Sequence, residues 1–468
     1  MVNRLLLGAV SSCLILLLSS CSSSTNDTDI IVNNVTVIDA ASPVRANRSV
    51  VIRNGKIVAV NPALTAARAT AANVVDATGQ YLIPGLWDMH VHFLYEPRLT
   101  EEMADLFLQY GVTSVRDTGG DLDQLVTLRN QMRQRARPAP RIFISGPLLD
   151  GQFPVYDGSD PARPALGIDV ATEITAKARV AALKDAGADL IKIYELVQPD
   201  VYQALVSAAR ELGLPIASHV PLMLTADQAG PLADTMEHLR NIELACASNW
   251  QQLLAERRAT ISAFTEGLGY NLRAGLHSAQ RLPAIAAYDE TRCNEVLDTL
   301  QATIQVPTLR LNTVFQQQPW QRTDWTPALA DLPSDLVQQW QRQIDLLRNS
   351  GAEPDHRFAE WSLFLISRLL QRNVPIAAGT DTPIGLGIPG YSLHTELELL
   401  VAGGMTPLQA LHAATIAPTV FFSSEDAMGK IEAGMAADLV LLSANPLDDI
   451  RNTRSITAVM AQGTWVKR

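Results

Sequence analysis

The sequence predicts an α/β protein: a (β/α)8 TIM-like barrel with a small β-sandwich domain formed by both chain ends. Three observations carry this. Short apolar, strand-like runs alternate with helix-like runs through the middle of the chain, the pattern of parallel βα units. Several of those runs end in a histidine, a lysine or an aspartate, and the C-terminal ends of barrel strands are where such a fold places its chemistry. Period-two segments also crowd both termini, and neither end has enough of them to bury a core alone.

Taken in order, residues 30–38 and 49–60 alternate apolar and polar and carry an Asn54-Gly55 turn, which predicts a hairpin. Residues 437–442 and 456–466 have the same pattern at the other end. The composite sandwich is therefore expected to span 30–83 and 429–468, leaving 84–428 for the barrel. Residues 111–116 and 141–145 are the second and third candidate strands. A helix over 172–186 closes at Gly187 and leads into the strand of Lys192; another over 202–212 closes at Gly213 and leads to that of His219. Residues 305–309 and 374–379 are the candidate seventh and eighth strands. The stretches at about 239–304 and 317–355 are too long for simple connections and are expected as insertions over the barrel mouth. Thr406 and Pro407 open a late helix as its N-cap and first residue.

The chemistry starts at Trp87-Asp88-Met89-His90-Val91-His92-Phe93. Histidines at i and i+2 of an extended segment project to one side, so their imidazoles can converge on a metal ion. Downstream, Lys192 (in Ile191-Lys192-Ile193-Tyr194), His219 (in Ala217-Ser218-His219), His238 (in Met236-Glu237-His238) and Asp381 (in Gly379-Thr380-Asp381) each close a strand-like run. Taken alone, Lys192 is as well read as a lysine stretched along a strand end. Asp381 alone is as well read as a helix N-cap before Thr382-Pro383.

In this order, His90-x-His92, Lys192, His219, His238 and Asp381, the chain resembles the amidohydrolase superfamily. The resemblance is to its imidazolonepropionase-like and prolidase-like branch of metal-dependent hydrolases, and it runs from about residue 30 to the C-terminus. It implies two divalent metal ions, zinc by expectation. His90, His92 and Asp381 would hold the more buried ion, and His219 and His238 the more exposed one. Lys192 would bridge them, and since an ammonium has no lone pair to offer, it would do so as N6-carboxylysine. The implied activity is hydrolysis of a small amide bond, in a dipeptide or an N-acyl amino acid, by attack of a metal-bridging hydroxide. Asp381 would take the proton and pass it to the leaving amine. A mononuclear deaminase or a cyclic-amide or lactone hydrolase of the same superfamily is the alternative, and Lys192 argues against it. A non-catalytic envelope lipoprotein is an alternative of another class, against which the complete ligand set argues.

Tyr194, two residues past Lys192, faces the same side of its strand and is a candidate to polarise the substrate carbonyl or bind its carboxylate; a packed aromatic is the other reading. His394, after the Gly- and Pro-rich loop that follows Asp381, is either a substrate-facing residue or a helix-start histidine. Glu237 is expected to face away from His238, as a structural or supporting acid. His277, His356 and His412 carry no context that singles them out.

With 47% hydrophobic and 18% charged residues the chain can bury a large core. A net charge of −11 without a sustained basic run makes a small molecule, not nucleic acid, the expected partner; self-association stays open. Residues 1–20 have the form of an export signal: Arg4, then an apolar run ending in Leu18-Ser19-Ser20-Cys21. This resembles a bacterial lipoprotein signal, with Cys21 lipidated and residues 21–29 a tether to the membrane; an ordinary secretory signal is the alternative. Ser22 at the next position is similar to the outer-membrane sorting pattern, so the expected place is the cell envelope, lipid-anchored. Cys246 and Cys293 are then the pair available for one disulfide in an oxidising compartment, although spacing alone does not bring them together.

Overall fold

The computed structural model of the chain describes residues 29–64, 73–161, 163–349, 355–425 and 427–467. The expected signal, Cys21 and the tether up to residue 28 lie outside the described residues. Among the described residues no helix is long and apolar enough to cross a membrane.

The two chain ends meet in one eight-stranded sheet. At its N-terminal side, Arg45–Arg53 and Lys56–Pro62 form an antiparallel hairpin. Asn54 (φ 50°) and Gly55 (φ 76°) make its two-residue turn, both in the left-handed region that such a turn requires. Ile30–Val37 pairs with Arg45–Arg53 on one side and with Val74–Asp76 and Tyr81–Pro84 on the other. The junction between the ends is the antiparallel pair of Tyr81–Pro84 with Leu439–Leu442, in register from Tyr81↔Leu442 to Pro84↔Leu439. Ile456–Ala461 and Thr464–Lys467 complete the sheet. Alternate side chains, among them Val32, Val50, Ile52, Leu82, Leu441 and Met460, form its own apolar cluster.

Between the ends the chain is α/β, with two parallel sheets. One joins Leu86–Val91, Val112–Asp117 and Arg141–Ile144. The other runs in the spatial order Gly167–Asp169, Leu148–Asp150, Ile191–Ile193, Ile216–Ser218, Thr235–Glu237, Ile304–Val306. Their margins are linked. Asp189 N donates to Ile144 O at 2.9 Å on one side. On the other, residues 376–382 lie between the sheets, through parallel bridges Gln305↔Ile376 and Val91↔Thr382 and a Met89 N to Ala378 O bond of 2.9 Å. The expected eighth strand at 374–379 is thus present as bridges, not as a ladder. Gly379 is required there, since a Cβ would stand 2.5 Å from Val306 Cγ1 and 3.0 Å from His90 Cβ.

The helices follow local signals. Glu173–Asp185 starts from a Thr172 cap in a reciprocal box with Thr175 and is followed by Gly187 at φ 93°. Pro199–Glu211 begins on Pro199 and is followed by Gly213 at φ 65°. Thr406 caps Pro407–Ala413 in a box with Gln409. The first insertion folds as Ile242–Ala245, Trp250–Ser262, Gly269–Ala286 and Glu290–Thr299. Cys246 and Cys293 are disulfide-bonded across it, with Cα atoms 4.2 Å apart. The second contains Ser334–Asn349 and several single turns before it.

Candidate metal centre

Every parallel strand here is short, and the residues that matter sit at or just past its C-terminal end. His90 and His92 close Leu86–Val91, Lys192 lies in Ile191–Ile193, His219 follows Ile216–Ser218, and His238 follows Thr235–Glu237. Asp381 follows the bridging segment, its N–H donating to His90 O at 2.7 Å. All six side chains are buried. They converge. Asp381 Oδ1 stands 3.1 Å from His92 Nε2 and 3.4 Å from His90 Nε2. The His238 ring centroid lies 4.5 Å from that of His90 and 4.7 Å from that of His219. His90, His238 and Asp381 offer ligand atoms all within 4.8 Å of one another.

The hydrogen bonds behind the rings test whether this set suits a metal. His90 Nδ1 meets Glu237 Oε2 at 2.6 Å, His219 Nδ1 meets Glu195 Oε1 at 2.7 Å, His238 Nδ1 meets Thr308 Oγ1 at 2.7 Å, and His92 Nδ1 meets Gly119 O at 3.3 Å. The Glu237 and Glu195 carboxylates and the Gly119 carbonyl accept, which places the proton on Nδ1 of His90, His219 and His92 and leaves their Nε2 lone pairs for the centre, as metal-binding histidines are held. The Thr308 hydroxyl can serve either tautomer of His238. Among the described residues, Lys192 Nζ is buried with no hydrogen-bond partner, and its ion-pair contact is Glu237 Oε1 at 3.8 Å. Such an orphan has a use if its nitrogen is to be modified or matched by a group in the cavity. The donor set fits divalent ions.

Electrostatics points the same way. Burial, reinforced by the Arg116 guanidinium and opposed by Glu237, pulls the Lys192 ammonium down to about 7. Burial and the Lys192 charge bring His90 to about 4, and burial holds His219 and His238 well below the usual histidine range. These rings are neutral and able to donate. His92 moves up: burial opposes its charge most strongly, but its bond to Asp381, the Asp381 and Asp117 charges and the Gly119 carbonyl together outweigh that. Burial alone would raise Asp381; His90 and His92 hold it well below the ordinary carboxylate range.

The backbone is strained at three of these positions. His238 (φ 64°), Thr308 (φ 47°) and Asp381 (φ 61°) occupy the left-handed region that non-glycine residues rarely adopt. At His238 this corrects the expected alternation. Glu237 ends its strand and His238 turns left-handed, so neighbours that should diverge both reach the centre. Glu237 accepts from Arg116 Nη2 at 2.8 Å and from Thr235 Oγ1 at 2.7 Å while it holds His90.

Tyr194 lines the cavity, its ring centroid 4.4 Å from that of His219. His394 does not. The helix Tyr391–Ala402 turns it into the protein, where Nδ1 meets Thr453 Oγ1 at 2.8 Å and Nε2 meets Tyr110 O at 3.0 Å, so the structure does not bring it to the substrate side. His356 lines the cavity, and His277 is buried behind it with Nε2 2.5 Å from Glu195 Oε2. Glu195, Thr308 and Arg116 were not legible as site residues. The available signal for Glu195 was an acid three positions after Lys192, which places it just past the same strand end.

Residues 362–466 match the family model described as the amidohydrolase family. A solved structure of a Xaa-Pro dipeptidase with methionine in its active site superposes with a TM-score of 0.67 at 19% identity, over 94% of this chain and 100% of that one. The chain shares the fold of that structure. Curated relatives align over shorter stretches. The adenine deaminase of Desulforamulus reducens is 35% identical over 89 residues, and the ochratoxinase of Aspergillus niger 37% over 103. Those alignments take in 19% and 21% of this chain, and the chain spans only 14% and 20% of the two relatives' lengths. Of the six convergent residues, the family match contains Asp381 alone, so the histidines and Lys192 stand on geometry.

Proposed function

We propose that the chain is a metal-dependent amidohydrolase that cleaves a small amide bond, in a dipeptide or an N-acyl amino acid. The observation that supports this is the gathering of His90, His92, His219 and His238 with Asp381 and the buried Lys192 around one cavity, each imidazole tied back through Nδ1. On this reading the two parallel sheets and residues 374–379 form one (β/α)8 barrel, flanked by a chain-end β-sandwich. His90, His92 and Asp381 would hold one divalent ion and His219 and His238 a second, with Lys192, carboxylated on Nζ, between them. When bound, such ions lower the pKa of water and polarise a carbonyl oxygen. Glu237, Glu195 and the Gly119 carbonyl hold His90, His219 and His92 in the tautomer with a free Nε2 lone pair, and Thr308 fixes the orientation of His238. Asp381 takes the proton of the attacking water as its oxygen bonds to the carbonyl carbon. The same carboxyl returns it to the amide nitrogen as the carbon–nitrogen bond breaks. Tyr194, which lines the cavity beside His219, would contact the substrate. The expected lipid anchor at Cys21 would hold this domain at the envelope, where scavenging of peptides suits such an activity.

A mononuclear deaminase is the second reading, favoured by the stretch shared with adenine deaminase. Metal analysis of the purified protein separates the two, together with a screen of dipeptides, N-acyl amino acids, lactones and adenine. Two ions per chain, a carboxylated Lys192 and amide turnover support the proposal. One ion with adenine turnover transfers it to the deaminase, and no ion with no turnover refutes both.

A further inference from the structure

The cavity in front of the metal centre, about 440 Å³, borders a second of about 420 Å³ toward the first insertion. Arg240, Arg273 and Arg281 line both. Arg240 lies two residues past His238, while Arg273 and Arg281 come from the insertion helix Gly269–Ala286. The three are unequally employed. Arg273 Nη2 donates to Glu195 Oε1 at 3.0 Å. Arg240, among the described residues, makes no hydrogen bond, and its ion-pair contact is Nη1 to the same oxygen at 3.8 Å. That acid is already taken up by His219, Arg273 and His277. Arg281 likewise makes no hydrogen bond among the described residues. Its Nε is 3.8 Å from Glu243 Oε1, and its guanidinium lies 4.1 Å over the Phe358 ring.

Both side chains are mostly withdrawn from water, 17% and 23% exposed, and the Nε of each is buried without a partner. A guanidinium carries five donors in a planar fork, and taking them out of water without acceptors is unfavourable. The acids nearby do not fill these forks: Glu195 is saturated, Asp355 is paired with Arg357 at 2.6 Å, and Glu243 offsets part of the Arg281 charge from 3.8 Å without a hydrogen bond to it. A planar carboxylate from outside matches the open forks. In a chain of net charge −11, a cationic wall at the substrate cavity also draws anions toward it against the average field.

We propose that Arg240 and Arg281 form a carboxylate-recognition pair that selects amides bearing an acidic group on the side of the scissile bond facing the insertion helix. This rests on the amidohydrolase reading for its substrate, but not for its binding. Calorimetric titration of the metal-loaded protein with glutarate and with its neutral counterpart glutaramide tests it directly. Glutarate is expected to bind the parent about tenfold or more tighter than glutaramide, with Arg240→Gln and Arg281→Gln each costing about tenfold to a hundredfold in glutarate affinity. Arg240→Lys should recover part of the loss, since it keeps the charge without the fork. Equal affinity for the two probes, or glutarate binding that both glutamine variants retain, overturns the pair. On any amide the enzyme hydrolyses, the kcat/KM preference for the acidic over the amidated form of that substrate should collapse in the same variants. Glutarate selectivity without amide turnover would leave the pair standing and refute the hydrolase. Amide turnover indifferent to substrate charge would do the reverse.

Discussion

In the chain-end sheet, one face is filled by Val32, Val50, Leu82, Leu439 and Met460, and the left-handed positions fall mainly on Asn and Gly (Asn34, Asn47, Asn54, Gly55, Gly463), with Gln462 the exception in the last turn. At the candidate metal centre the strands that carry Lys192 and Glu237 and the one that precedes His219 are three residues long, and left-handed positions fall on His238, Thr308 and Asp381. The first region mostly uses residues that suit their conformation and is held by apolar burial, which is non-directional and tolerant of small shape changes. The second uses residues that do not suit theirs and is held by hydrogen bonds between buried polar groups, each costly if its partner is removed. Stability and chemistry are therefore carried by separable parts of the molecule, and substitutions should sort accordingly.

The largest effect is expected at the centre. Asp381→Asn removes the proton acceptor, and kcat should fall by about a hundredfold to ten-thousandfold while the thermal midpoint of the chain-end sheet is unmoved. Near-parental kcat with ions bound would break the division of labour. Leu82→Ala is the mirror experiment. Leu82 is fully buried in the chain-end sheet, so the truncation should cost about 2–5 kcal/mol of unfolding free energy with kcat/KM preserved. A loss of turnover at unchanged stability would show that the sheet reaches into the chemistry.

The disulfide lies in neither region and should behave as a staple of the insertion. Cys246→Ala with Cys293→Ala should destabilise by about 2–4 kcal/mol in chemical denaturation, the usual range for closing a loop of this kind. Denaturation midpoints equal to those of the parent would remove that role. The smallest effect tests a residue that ties the insertion to the centre, Glu195, which lies past the Lys192 strand and holds both His219 and the insertion's Arg273 and His277. Glu195→Gln keeps the shape but weakens the grip on His219, Arg273 and His277, and metal affinity should drop about tenfold to a hundredfold. Metal competition titrations measure it, and unaltered affinity would show that the insertion helix does not support the ligand.

The regions also differ in how far they could be read from sequence. Period two and an Asn-Gly turn announce the Arg45–Arg53 and Lys56–Pro62 hairpin because those signals are local. The ligand set was legible only as an order of residue types, because no local rule brings His90 to Glu237 or His219 to Glu195. Those contacts depend on how neighbouring strands are staggered. The left-handed turn at His238 defeated the alternation expected of Glu237, since strand periodicity ends where the strand does. His394 was placed by its loop, but the face of a helix is decided by what packs behind it, here Thr453 and Tyr110. Arg240 gave no signal as one arginine in Leu239-Arg240-Asn241; its meaning comes from Arg281, which the insertion folds back beside it.

The pairing of Tyr81–Pro84 with Leu439–Leu442 sets an order of assembly. Tyr81–Pro84 is made early and its partner strand is among the last, so during synthesis the hydrogen-bonding edge that will receive Leu439–Leu442 has no strand to cover it. A bare edge of this kind recruits strands from other chains. Long-range pairings also close late in folding, after the loop entropy of the intervening chain has been overcome. The protein thus completes its fold as a clasp, and a nascent chain halted before Leu439 is an aggregation-prone species, not a smaller enzyme.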